Sequence, residues 1–165
     1  MLNITFAGGS LTVPGTQLQV GDKAPNFSVT KNDLSSISLS DLSSIKLLSI
    51  APSLDTGVCQ IQTKKFNKEV ASLTGVSLMT ISLDLPFAQA RWCGTEGLEN
   101  SLTVSDYQNR DFGTKYALLI EELKLLTRAV LVLDKDNNIK YVEYLKEITD
   151  EPNYAAAIAA IKSLI

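Results

Sequence analysis

The sequence predicts an α/β domain with a mixed central sheet and helices on both faces, and three stretches predict it. "KLLSIAPS" (46–53) and "VSLMTISLD" (76–84) are apolar runs of strand length on either side of a helical stretch. They read as a right-handed βαβ unit in a parallel sheet. "RAVLVLDKDNNIKYVEYL" (128–145) turns at Asp136-Asn137-Asn138 and reads as an antiparallel hairpin. "EPNYAAAIAAIKSLI" then closes the chain as an amphipathic helix with Pro152 in its first turn.

From the start of the chain, "ITFAGGSLTVPG" is a short β-hairpin with Gly8-Gly9 as its turn. "GDKAPNFSVT" is a loop that runs into a strand, and "SSISLSDLSSI" is a loop with one helical turn at Asp41. The helix of the βαβ unit spans 57–75, with Val58, Ile61, Phe66, Val70 and Leu73 as its apolar stripe and Gly75 as its stop. "PFAQARWCG" (86–94) is a second, shorter helix ended by glycine. Residues 98–127 carry no strong period; "SDYQNRDFGTKYAL" holds the end of a strand and a helical piece. This succession matches a thioredoxin-like fold, a mixed sheet flanked by helices with an added N-terminal β-hairpin. A chain of 165 residues supports one well-buried core, so 1–165 is expected to be a single domain.

Composition narrows the function. A net charge of −3 supplies no basic field for nucleic acid or an anionic membrane surface. No apolar run approaches the roughly 20 residues that span a bilayer. "MLNITFAGGS" lacks the basic and apolar regions of a signal peptide, so a cytoplasmic protein is expected. There is no histidine, which removes Cys-His and Ser-His-Asp catalysis, histidine-ligated haem and the usual zinc sites. The two cysteines, 34 positions apart, are too few for a Cys₄ cluster. Neither a metal nor a cofactor is expected. A reactive cysteine here must draw on Arg, Lys, hydroxyls or backbone N–H groups.

"PSLDTGVCQ" (52–60) offers such a place. With Thr56 as N-cap, Gly57, Val58 and Cys59 are the first three helical residues, so the sulfur lies among unpaired N–H groups at the positive end of the helix dipole. That setting favours a thiolate. The Thr56 hydroxyl is placed to bond the amide of residue 59 or the sulfur, and Pro52 shields the strand-to-helix turn without an N–H of its own. The ordinary reading of a lone cysteine after a buried strand is inert core. Arg128 weighs against it. A strand antiparallel to its neighbours begins at the edge where they end, so Arg128 and Cys59 can meet there, although a strand-end arginine is ordinarily just solvated. Cys93 lies seven residues beyond Pro86, about 10 Å along a helix. A disulfide needs Cα atoms within roughly 7 Å, so Cys93 is near the site but not in bonding position; a second buried cysteine beside Trp92 is the alternative.

These residues carry a family resemblance. "PSLDTGVC" has the P-x-x-x-T-x-x-C pattern of peroxiredoxins, in the form of the bacterial thiol peroxidases, the atypical two-cysteine subgroup. "LPFAQARWCGTEGLEN" is similar to that subgroup's resolving-cysteine segment. "LLTRAVLVLDKDNNIKYVEYLKEITDEPNYAAAIAAI" is similar to its arginine strand, hairpin and last helix. The resemblance implies that Cys59 is the peroxidatic cysteine and Cys93 the resolving one. Thr56 then holds thiolate and peroxide, Pro52 shields the sulfur, and Arg128 is the guanidinium beside it. It further implies reduction of hydroperoxides, alkyl or lipid ones favoured, through a Cys59 sulfenic acid and an intrachain Cys59–Cys93 disulfide that thioredoxin reduces, in a homodimer. Family members often have an arginine where Gln108 stands; here Arg110 is the nearby cation.

Other functions compete. A thioredoxin-like reductase needs a C-x-x-C pair, and "CQIQ" has no second cysteine. A redox sensor would use the same sulfur without turnover, and a non-catalytic interaction domain would leave Cys59 inert to peroxide.

Overall fold

The computed structural model describes residues 1–97 and 102–165. The end of the segment 85–100 and residue 101 therefore lie outside the described residues. A two-stranded antiparallel hairpin, β1 (Leu2–Phe6) and β2 (Gly9–Val13), precedes β3 (Ser28–Lys31) and β4 (Ser36–Ser38). Then come β5 (Ile45–Ile50), α1 (Gly57–Val70), β6 (Val76–Ser82), α2 (Pro86–Thr95), β7 (Leu102–Ser105) and α3 (Asp111–Lys115). The hairpin β8 (Ala129–Leu133) and β9 (Ile139–Tyr144) and the helix α4 (Tyr154–Lys162) complete the order. The main sheet runs β4-β3-β7-β6-β5-β8-β9. β5, β6 and β7 are parallel, and β8 lies antiparallel to β5, as the βαβ unit and the late hairpin require. Among the described residues no helix is long and apolar enough to cross a membrane.

The strand alternation divides the core in two. Ile45, Leu47, Leu78, Val130 and Val132 meet Phe66 and Val70 of α1 and Ala157, Ile158 and Ile161 of α4 on one face. Leu48, Ile50, Met79, Ile81 and Leu131 meet Phe112 and Tyr116 on the other. Lys46 stands in this buried strand because its ammonium donates to the carbonyls of Asp134 and Lys135 and to Asn137 Oδ1, holding the β8–β9 turn.

Several local expectations change. The first hairpin turns at Ala7-Gly8, both at positive φ (48° and 85°), while Gly9 pairs with Phe6 as the first strand residue. Two successive left-handed residues match the twist of the strands. A three-residue strand, β4, and a 3₁₀ turn (Leu39–Asp41) occupy the stretch read as a loop with one helical turn. β5 stops at Ile50, so 51–56 is loop, and α2 runs past Gly94 to Thr95. α1 ends at Val70, leaving Leu73 outside it and Gly75 (φ +77°) in the turn that follows. Pro152 lies one residue ahead of the N-cap, Asn153, whose side chain accepts from the Ala156 amide. The inward face of α1 is Cys59, Gln62, Thr63, Phe66 and Val70, whereas Ile61 is exposed. Internal hydrogen bonds keep the polar members of that face buried, so apolar periodicity marks the wrong side of the first two turns.

Beyond β7 the chain is held by Asp106, whose carboxylate accepts from the amides of Phe112 (3.2 Å) and Gly113 (2.7 Å). A Cβ on Gly113 would stand 2.6 Å from Leu126 Cδ2, so any larger residue there obliges the Leu126 side chain to shift. Burial pushes the Asp106 carboxyl up to about 6, against the two amide hydrogen bonds that lower it. A carboxyl that protonates more readily folded than unfolded favours the fold below its unfolded pKa, and this is lost as pH rises through its folded value. Discounted for partial solvation, the loss is about 1–2 kcal/mol. Between about pH 4 and pH 7 the melting temperature of Asp106→Asn should therefore gain about 3–6 °C on that of the parent. A difference that stays constant across that range would show that this carboxyl does not titrate as described.

Candidate active site

Loop 51–56 and α1 set the sulfur. Pro52 is buried at the head of the loop, and Thr56, in extended conformation (φ −118°, ψ 152°), is the N-cap. Cys59 is the third residue of the helix and fully buried. The Thr56 side chain departs from expectation: its hydroxyl donates to the Ser53 carbonyl (3.2 Å) rather than bonding the Cys59 amide or sulfur. The hydroxyl thus closes the loop on itself. Asp84, two residues beyond β6, anchors the same loop by accepting from Ser53 Oγ (2.7 Å) and the Leu54 amide (2.8 Å).

Arg128 arrives where the antiparallel argument puts it, one residue before β8, and is 2% exposed. Its Nη2 donates to Cys59 Sγ at 3.2 Å. Nη1 donates to Gln62 Oε1 (2.7 Å) and Nε to the Ile148 carbonyl (2.8 Å). Among the described residues no carboxylate forms an ion pair with this guanidinium. A buried cation is costly unless an anion balances it, and the sulfur is the one group in its hydrogen-bond set that can become anionic. The arrangement therefore sets a buried guanidinium directly against the sulfur, with no competing carboxylate among the described residues.

Two supports of Arg128 went unseen in the sequence. Gln62 is fully buried and donates to Ser49 Oγ (2.8 Å) and the Ile50 carbonyl (3.3 Å), so the side chain that holds the guanidinium is itself held. Its only sequence signal is a polar residue one turn after Cys59 on the same helix face. The second support is the N-terminal hairpin. The Ile148 amide donates to the Thr5 carbonyl, and the Glu147 carboxylate accepts from the Thr5 hydroxyl (2.6 Å) and the Ala7 amide (3.0 Å). The Thr5 and Thr149 hydroxyls pull the Glu147 carboxyl down to about 2.

Cys93 is buried in α2, its sulfur 3.2 Å from Thr103 Oγ1 in β7. No disulfide joins the two cysteines in this structure. α2 is pinned to the sheet by Gln89, whose amide donates to Ser82 Oγ (3.0 Å) and the Val104 carbonyl (2.8 Å). Its end is tied to α1 by Lys64–Glu96 at 2.7 Å. A surface groove between the helix starts is lined by Leu54, Phe87, Arg91 and Trp92 among others, and Leu85 and Phe87 are exposed.

A family model described as Redoxin matches residues 19–158. The thiol peroxidase of Streptococcus pneumoniae (strain R6) is 56% identical over 162 residues, covering 98% of this chain and 99% of that protein. That of Bacillus subtilis is 47% identical over 166 residues, covering 100% and 99%. Among solved structures, a peroxiredoxin-like protein from Aquifex aeolicus superposes with a TM-score of 0.93 at 37% identity, covering 100% of this chain and 98% of that one. The chain therefore belongs to the bacterial thiol peroxidases, peroxiredoxin enzymes of redoxin type that reduce peroxides at the expense of thiols.

Proposed function

We propose that the 165 residues act as a single domain, a cytoplasmic, thioredoxin-dependent peroxidase in which Cys59 is peroxidatic and Cys93 resolving. The observation that carries this reading is the Arg128 Nη2 to Cys59 Sγ contact at 3.2 Å, made by a buried guanidinium without a carboxylate partner among the described residues. The Cys59 thiolate attacks the terminal oxygen of a hydroperoxide. The O–O bond breaks, the S–O bond forms, and the departing alkoxide takes a proton, leaving alcohol and a sulfenic acid. The Cys93 thiol then displaces hydroxide from that sulfur, releasing water and forming the intrachain disulfide. A dithiol protein returns two electrons and two protons; thioredoxin is the partner of this chemistry.

In this reading Arg128 and the amides at the start of α1 hold the O–O bond in line and take up negative charge on the leaving oxygen. Thr56 fixes the loop conformation and faces the incoming peroxide, while Pro52 keeps water from the turn. The exposed Leu85 and Phe87, with Trp92 in the groove beside them, favour alkyl hydroperoxides over hydrogen peroxide, which gains nothing from apolar contact. The enzyme works as a homodimer.

One equivalent of cumene hydroperoxide should convert the reduced protein to a species lighter by two hydrogens, with a peptide linking Cys59 to Cys93 in its digest. Thioredoxin and its reductase should then sustain peroxide consumption. A stable Cys59 sulfenic acid with Cys93 still free would remove Cys93 from the cycle, and inertness of both cysteines would remove the mechanism.

A further inference from the structure

Disulfide formation sets a mechanical problem. Cys93 is buried beneath α2 and Cys59 beneath α1, and both sulfurs must leave those places to bond. The surface beneath the two helices is unusual for a sheet face. Ser49, Thr80 and Thr103 stand in register across the adjacent strands β5, β6 and β7, so their side chains form one row on the helix-covered face. The row connects the two sites. Its first member holds Gln62 beside Arg128, and its last touches Cys93 Sγ.

Its middle member is the informative one. Thr80 is fully buried, yet its hydroxyl has no hydrogen-bond partner among the described residues. Gln89 Oε1 and Trp92 Nε1, both on α2, are likewise buried without one. Each such group is costly while the helix is packed and finds water once the helix lifts. The row therefore weakens the packed state and lowers the cost of the open one, since opening exposes hydroxyls where a sheet face would ordinarily expose valines. Gln89's two bonds, the Cys93–Thr103 contact and the Lys64–Glu96 pair hold the packed state against this bias.

We propose that Thr80 is a positioning residue of the resolving step: its partnerless hydroxyl under the cysteine helices poises α2 to lift and so sets how fast the Cys59 sulfenic acid becomes a disulfide. The inference rests on the assignment of Cys93 as the resolving cysteine. Cys59–SOH and Cys93–SH give the disulfide and water, so no further reactant is needed. When resolution slows, a second peroxide can reach the same sulfur and oxidise it to the sulfinic acid. Thr80 thereby also governs resistance to excess substrate.

The test uses Thr80→Val, which keeps the branched shape and removes the hydroxyl, and Thr80→Ser, which keeps the hydroxyl. The single tryptophan, Trp92, adjoins Cys93 and supplies the fluorescence signal for rapid mixing with cumene hydroperoxide. The peroxide-dependent oxidation of Cys59 should be unchanged in Thr80→Val, which also certifies its fold. The peroxide-independent disulfide phase should slow by about five- to tenfold, with a matching rise in sulfinic acid by mass spectrometry. Thr80→Ser should resolve at close to the parent rate. An unchanged disulfide phase in Thr80→Val, or equal slowing in both variants, overturns the role of the hydroxyl. Absence of a Cys59–Cys93 disulfide in the parent overturns the Cys93 assignment itself and this inference with it, a result distinct from the other two.

Discussion

Arg128→Ala is expected to lower kcat/KM for a hydroperoxide by about 10³-fold, more than any change in thiol ionisation can supply. An ordinary thiol with a pKa of about 8.5 is about 3% ionised at neutral pH. Losing all thiolate stabilisation therefore costs at most about 30-fold. A more basic thiolate is also the better nucleophile, which returns part of that loss. On the proposed mechanism the remaining factor belongs to the guanidinium's hold on the breaking O–O bond. Thiolate ultraviolet absorbance measures the first contribution and peroxide consumption the product of both, so the two separate in a single protein. Equal falls in ionisation and rate would confine Arg128 to charge balance. Arg128→Lys keeps the charge but loses the planar fork that reaches sulfur, Gln62 and the Ile148 carbonyl together, and should recover less than about tenfold.

Gln62 carries the second large effect, through aim instead of charge. Gln62→Ala removes the acceptor of Nη1 and with it the bridge from the guanidinium to Ser49 and the Ile50 carbonyl. The cation stays beside the sulfur but is no longer held in one orientation, so kcat/KM should fall by about 10- to 100-fold while the thiolate fraction changes little. Gln62→Glu should behave differently. A carboxylate beside Arg128 competes with the sulfur for its charge, so here the thiolate fraction itself should drop. Should Gln62→Ala and Gln62→Glu reduce ionisation to the same degree, the residue acts on charge and the positional account is wrong.

The parts of the site legible in the sequence are those where residue type states chemistry. A cysteine at a helix start and an arginine at the head of an antiparallel strand converge by topology alone, and in the structure they do so at 3.2 Å. What stayed hidden was made of neutral polar residues. Gln62 and Thr63 occupy positions that helical periodicity assigns to solvent, and Ser49 and Thr80 interrupt apolar strands, yet all four are buried. The same error drew Val58 and Ile61 into the expected core, since periodicity cannot see hydrogen bonds made across the sheet. The Thr56 hydroxyl was misaimed for a related reason: capping statistics favour the helix amide, while the tight loop from Ser53 offers a nearer carbonyl. The hairpin turn at Ala7-Gly8 shifted by one residue because "GG" marks a turn without fixing its register.

The N-terminal ribbon has a reach out of proportion to its position. Thr5 grips the peptide of Ile148 and the Glu147 carboxylate, and the Ile148 carbonyl in turn steadies the guanidinium. The opening residues and the reactive sulfur are thus linked mechanically in series, though no atom of that ribbon touches the sulfur. A fusion or truncation that disturbs Thr5 should loosen this seat of Arg128, so the activity of an amino-terminally tagged variant is expected to fall below that of the untagged chain.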